Sequence, residues 1–320
     1  MKVAHLAIIT PRKCGLYETT RELIKGLRDL EVDSRLVDPL PHKNPVGWKG
    51  DEDRGAIVAD LEWAKKADVL VNHSGLGDLE DIGIPIVHVA HGRPRHSFLS
   101  ETSGSTPIYS YHYHNNYKDN FKAVVTFWRQ HRPYLKVMYP DKQVYCVQSP
   151  VDLDFWTPGP SNYDFGGQRG DINIVCTDAF RDDVDCFDPL NAFALWARKY
   201  PGAKIHVFGK PKNMRGWGAL FKRIQQDGNL GLVQGWAAEL KHVYRAADLV
   251  LTAHDIDVRT VRESMASGCP VYRVKDTGNH RGITDALNRN RKDVRILAQR
   301  LFNPTVTARQ FKEILEDALY

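Results

Sequence analysis

Residues 246–274, AADLVLTAHDIDVRTVRESMASGCPVYRV, decide how this chain is read. Residues 249–252 form an apolar run of strand length, and a polar loop follows. Residues 260–267 carry helical spacing, and residues 271–274 predict the next strand. Strand, loop, helix and strand together make the repeating unit of a parallel sheet. Two acids punctuate it: Asp255 at the strand tip and Glu263 inside the helix, with seven residues between them. The loop ends at a helix N-terminus, whose free amides favour an anion such as a diphosphate. Glu263 then stands where it can accept hydrogen bonds from ribose hydroxyls, and Asp255 from those of a sugar.

The same alternation extends in both directions. In the first half, strands are predicted over residues 2–10, 34–37, 68–72, 84–90, 123–127 and 144–147, with helices over 19–30 and 56–67. Residues 157–171, TPGPSNYDFGGQRGD, lack periodicity and read as a linker. In the second half, strands are predicted over 172–177, 204–208, 230–234, 249–252 and 271–274. Helices are predicted over 189–199, 216–226, 239–247, 260–267, 292–301 and 307–319. The expectation is an α/β chain of two doubly wound, Rossmann-like domains facing across a cleft. Their spans are 1–150 and 151–305, with residues 306–320 a helix that returns to the first domain. Such sheets bind ligands at the carboxyl ends of their strands.

Composition agrees with a globular chain. Its 320 residues allow two cores, and 42% hydrophobic with 26% charged residues excludes a disordered tail, a collagen-like fibre or a coiled coil. A net charge of +5 permits a polyanionic partner without requiring one. Cys14, Cys146, Cys176, Cys186 and Cys269 are scattered and form no CxxC pair, which fits a reducing cytosol and packing roles. The opening MKVAHLAIITPRKCG is too short an apolar run for a signal peptide, and no stretch of about 18 apolar residues is present to span a membrane.

The segment from Glu263 to Val271, ESMASGCPV, resembles the donor-binding signature of retaining GT-B glycosyltransferases of the family 4 type: an acid, seven residues, a Glu, then small residues and Gly-Pro-Val. Gly235-Trp236, Glu239-Leu240, Tyr244 and Ala246-Ala247-Asp248 extend the match. So does residues 148–156, QSPVDLDFW, which is similar to that family's interdomain segment. Cys14-Gly15 before a helix resembles its glycine loop. The resemblance implies a nucleotide-diphosphate sugar in the second half, an acceptor in the first, transfer with retention, and no metal or other cofactor. By position it implies that Glu263 binds the ribose and Asp255 the sugar. Gly15 and the backbone of Val258, Arg259 and Thr260 would approach the phosphates, Arg181 would neutralise the leaving diphosphate, and His91 would lie beside the reacting sugar. Three departures stand out. The first acid is Asp rather than Glu; Cys186 occupies the family's usual Lys, which leaves Lys210 or Arg259 to supply the charge; and the stretch after Val274 is short.

Other readings of the same residues remain open. Asp255 and Glu263 suit solvated surface acids, and Asp255-Ile-Asp257 spells the DxD of a different, metal-using glycosyltransferase fold. His91 suits a core histidine, and Arg181, beside Asp178, Asp182 and Asp183, a surface ion pair. Gly15 suits a simple turn. Residues 88–132 are rich in His, Tyr and Arg. Arg93, Arg95, His96, Tyr111 and Arg129 are the expected acceptor-binding residues there; a partly buried aromatic surface is the rival, and His112 with His114 lack a third zinc ligand. The expected protein is a cytoplasmic hexosyltransferase acting on a glycan or small molecule. An alternative acceptor is a hydroxymethylated base in DNA, as for a viral enzyme in its host's cytoplasm. An alternative of another class is a catalytically silent nucleotide-sugar or nucleic-acid binding module.

Overall fold

The computed structural model describes residues 1–7, 15–38, 58–73, 83–91, 121–178, 187–209, 217–235 and 240–320. The chain forms two compact units. The first comprises Met1–Pro150 together with Phe302–Tyr320, and the second Val151–Leu301.

The first unit runs β1 (Lys2–Leu6), α1 (Gly15–Arg28), β2 (Asp33–Val37), β3 (Val58–Ala59), α2 (Leu61–Ala64), β4 (Val69–Asn72), β5 (Ile86–Ala90) and β6 (Phe121–Thr126). It continues through α3 (Arg132–Met138) to β7 (Gln143–Cys146). Its seven strands pair in the order β3-β2-β1-β4-β5-β6-β7, and every pair is parallel. Val3, Ala4, Leu6, Val69, Leu70 and Val71 are fully buried, as central strands covered on both faces require. Helix α1 places Glu18 in its first turn and Lys25 and Arg28 in its last, complementing its dipole.

The second unit runs β8 (Ile172–Cys176), α4 (Phe187–Ala197), β9 (Ala203–Phe208), α5 (Trp217–Gln226), β10 (Leu230–Gln234), α6 (Leu240–Ala246), β11 (Leu249–Thr252) and α7 (Arg259–Ala266). Then come β12 (Val271–Arg273), α8 (Gly282–Leu287) and α9 (Arg291–Leu301). Its order, β10-β9-β8-β11-β12, is again parallel throughout. The core packs Leu190, Phe193 and Trp196 of α4 against Ile205, Val207, Leu249 and Leu251. From α9, the Arg295 guanidinium donates to the carbonyls of Leu153, Trp156 and Ala266, and so fastens the segment that enters this unit.

The last helix, α10 (Pro304–Ala318), belongs to the first unit. The Thr307 hydroxyl donates to the carbonyl of Gln148 at 3.1 Å, and the Tyr145 hydroxyl to Asp317 at 3.3 Å. The helix crosses α1 at Gly26, where a β-carbon would lie 2.8 Å from that of Ala308, so only glycine allows the approach.

Two local expectations need correcting. Residues 58–67 are not one amphipathic helix: β3 adds an extended edge to β2, with Leu36 opposite Val58. A new helix then starts because the Asp60 side chain accepts from the Trp63 N–H at 2.8 Å. Helix α3 starts at Arg132, the last residue of the stretch read as an acceptor surface, and covers residues for which no element is predicted. Its helical pattern is weak because Tyr134 and Val137 are exposed and only Leu135 is buried.

Candidate functional site

Both sheets reverse their winding at the first strand, between β1 and β4 and between β8 and β11. Doubly wound sheets hold ligands at the carboxyl side of that point. The residues found there differ between the units.

In the second unit, β8 ends before Thr177 and Asp178, and β11 ends at Thr252. Asp178 is 1% exposed and organises this edge. It accepts the Thr252 hydroxyl at 2.8 Å and the Ala253 N–H at 2.9 Å, while His254 Nε2 lies 3.7 Å away. The Thr252 oxygen accepts the His254 N–H in turn at 3.1 Å, so the start of the loop is pinned. Ile256, buried, anchors its middle. Val258 then begins α7 in an extended conformation with no side-chain cap. The first i to i+4 bond, from Arg262 N–H to the Val258 carbonyl, leaves the amides of residues 259–261 without an acceptor inside the helix. That is the local chemistry of an anion site.

Glu263 lies one turn further in, 2% exposed, and accepts from Arg259 Nε. Burial first, and then the charge of Glu263, hold the neighbouring Tyr244 phenol well above its ordinary range, and Tyr244 donates to Thr177 at 3.3 Å. Asp255 is exposed on the loop, and its carbonyl accepts from Arg273 Nη1 at 3.0 Å. The carboxylate of Asp257 is engaged by the same guanidinium. Asp255, Val258, Arg259, Thr260 and Glu263 are therefore gathered on one loop and helix tip. Arg259, read from sequence as a spare positive charge, is paired with Glu263.

In the first unit the corresponding edge is built of imidazoles. His5 sits in the centre of the sheet, opposite Leu36 on β2 and Val71 on β4. His73 follows β4, and His91 follows β5. His5 Nδ1 lies 2.9 Å from His73 Nε2, and His73 Nδ1 lies 2.7 Å from His91 Nε2. Burial pushes His5 down to about 3. Burial first, then the neighbouring His91, His5 and His88, hold His73 well below the ordinary imidazole range. The chain starts under Phe311 of α10 and ends at a partly buried His91 packed on Phe127.

Gly15 opens α1. Arg129 is exposed, in a single turn of 3₁₀ helix (Arg129–His131) ahead of α3. Arg93, Arg95, His96, Tyr111, Arg181 and Lys210 lie outside the described residues, as do Cys14, Cys186, His112 and His114. Asp178, His254, His5 and His73 were not among the expected site residues. For Asp178, His73 and His254 the signal is a polar residue just beyond the end of an apolar strand; His5, inside β1, carries none. Among the described residues, no group of three or more His, Cys, Asp or Glu is arranged to hold a metal ion, and no helix is long and apolar enough to cross a membrane.

Solved structures match over the full length. HepE of Anabaena, in complex with UDP and glucose, superposes with a TM-score of 0.71 over 99% of both chains at 13% identity. Sucrose-phosphate synthase from Thermosynechococcus elongatus gives 0.68 over 98% of both chains at 14% identity. The fold is GT-B. A glycosyltransferase from Rickettsia africae shows the same GT-B match, with a TM-score of 0.68 at 12% identity over 99% of this chain and 98% of that one. No family model matches the chain, and no curated protein sequence does. At this identity the GT-B likeness carries architecture, and the chemistry rests on the residues themselves.

Proposed function

We propose that this chain is a retaining glycosyltransferase that moves a hexose from a nucleotide-diphosphate sugar to an acceptor hydroxyl. One observation carries the reading: at the switch point of the second unit, an uncapped helix tip and a buried carboxylate one turn behind it stand on a loop pinned by Asp178. A diphosphate sits against the backbone of residues 258–260, where the helix dipole and the free N–H groups of Arg259 and Thr260 favour its charge. Glu263 takes the ribose hydroxyls, steadied by Arg259, and Asp255 takes hydroxyls of the sugar. Gly15, Arg181 and Lys210 complete the phosphate surroundings. HepE, a protein of the same fold, holds UDP and glucose, which makes uridine nucleotides the first donors to try.

The first unit receives the acceptor, through Arg93, Arg95, His96, Tyr111 and Arg129, with His91 beside the reacting carbon. As the glycosidic bond breaks, the departing phosphate oxygen takes the acceptor's proton, and the same group is the product nucleoside diphosphate. No resident metal or other cofactor takes part, and the protein acts in the cytosol. The acceptor is a glycan, a small metabolite or a hydroxymethylated base in DNA; duplex binding that weakens steeply with salt singles out the last.

A thermal-shift screen of UDP-, GDP- and ADP-sugars tests the reading, since a donor that binds only the native state raises Tm by mass action. At least one donor is expected to do so and to release nucleoside diphosphate slowly into water. Tight binding without release would favour a silent binding module, and no response to any donor would end the proposal.

A further inference from the structure

We propose that His5, His73 and His91 form a one-way hydrogen-bonded chain that fixes His91 as the Nδ1–H tautomer, so that this ring can donate a hydrogen bond at the sheet edge but cannot accept one.

The argument starts at the buried end. His5 is fully buried within the apolar sheet and neutral, so its ring carries one proton. Its Nε2 has no hydrogen-bond partner among the described residues. A proton there would be a buried donor with nothing to receive it, which is the costlier of the two ways to leave that nitrogen unsatisfied. On Nδ1 the proton is donated to His73 Nε2 at 2.9 Å. His73 Nε2 is then an acceptor. His73 is also neutral, so its single proton is on Nδ1, where it is donated to His91 Nε2 at 2.7 Å. His91 Nε2 accepts in its turn, and the proton of that ring is left on Nδ1. Each step is forced by the one before, and no property of His91 itself enters.

The second unit offers a control within the same molecule. His206 is also buried and held neutral, down to about 4, but the backbone settles its tautomer: Leu232 N–H donates to Nδ1 at 3.0 Å, and Nε2–H donates to Asn173 Oδ1 at 3.1 Å. His206 is therefore the Nε2–H form, the opposite of the three rings of the first unit.

For the reaction, this deepens the proposed function and rests on it only for His91's position beside the sugar. A neutral His91 in this form has no lone pair to offer as a base. Its Nδ1–H is a directed donor, suited to a sugar hydroxyl, and proton acceptance is left to the departing phosphate.

Nitrogen-15 histidine labelling of the full chain at pH 7.5, with long-range proton–nitrogen correlation spectra, tests the assignment without any nucleotide sugar. His5, His73 and His91 should each show a protonated Nδ1 and an unprotonated Nε2, with His206 showing the reverse. A protonated Nε2 on His73 or His91 overturns the proposal. In His73→Phe, His91 should lose the pure Nδ1–H signature; an unchanged signature in that folded variant would mean that something other than the chain sets it. The wild-type spectrum decides the direction even if the variant does not fold. Because no donor is involved, the tautomer result and the nucleotide-sugar screen can fail independently.

Discussion

The two units are wound alike, yet the residues at their switch points do opposite electrostatic work. In the second, Asp178 brings a buried negative charge to the strand ends, which fixes the loop that leads to the bare amides of α7. In the first, the same place in the topology holds His5, His73 and His91, linked ring to ring. One edge is thus shaped around a charge, the other around the placement of single protons. The lesson is that a shared winding fixes where a ligand lies and leaves its handling to a few polar residues at the strand ends.

The sharpest way to break this contrast is at Glu263. Glu263→Gln should lower transfer from a nucleotide sugar by about 100- to 1,000-fold, or about 2.7–4 kcal/mol, with the histidine spectrum of the first unit unmoved. Initial rates of nucleoside diphosphate release measure it, and activity within a factor of three of wild type would remove Glu263 from the site. Asp178→Ala should cost about 2–3 kcal/mol of folding stability, because the Thr252 hydroxyl and the Ala253 N–H lose a buried acceptor. A urea midpoint unchanged from wild type would show that the loop is pinned by other means.

Acid sharpens the comparison from the other side. His5 is about 3 when folded and near 6.5 when unfolded, so between those values the unfolded chain binds a proton that the native one refuses. Stability from this group is therefore complete above pH 6.5 and falls as the pH is lowered towards 3. Going from pH 7 to pH 5 should cost about 2 kcal/mol through His5 alone. His206 of the second unit, about 4 when folded, titrates over the same range and should cost nearly as much. The first unit should still lose more, because His73 is also held well below the ordinary imidazole range. Paired urea melts measure the total, and hydrogen exchange should place the larger share in β1 and β4; equal loss in both sheets would deny His73 its part. The smallest effect is Thr252→Val, expected to cost about 1.5 kcal/mol as one bond to a buried carboxylate disappears. Thr252→Ser, which keeps the hydroxyl, should recover most of that in the same melts.

The alternation of apolar runs made the parallel strands legible, and β10 and β11 lie over the residues predicted for them. Short elements were harder. An extended edge and a capped turn around Asp60 share the composition of one helix, and α3 exposes Tyr134 and Val137 on the face a periodicity search expects to be polar. At the site, the acid spacing led to α7 because the motif is local in the chain. Asp178 looked like a partner for Arg181, since its bonds to Thr252 and Ala253 join positions more than 70 residues apart. His5 falls inside a predicted strand and His73 just past another, and their contact spans 68 positions, which no pattern within one strand displays.

Helix α10 has a consequence for biosynthesis. Phe311 closes over the His5 ring, and Ala308 presses on Gly26, so the first sheet is finished by the last segment of the chain. On the ribosome, the second unit has all of its strands before Phe302–Tyr320 is made. The earlier-born half must therefore wait, with the interior of α1 uncovered, while the later-born half matures, and nascent-chain quality control would meet the N-terminal half in its least protected form.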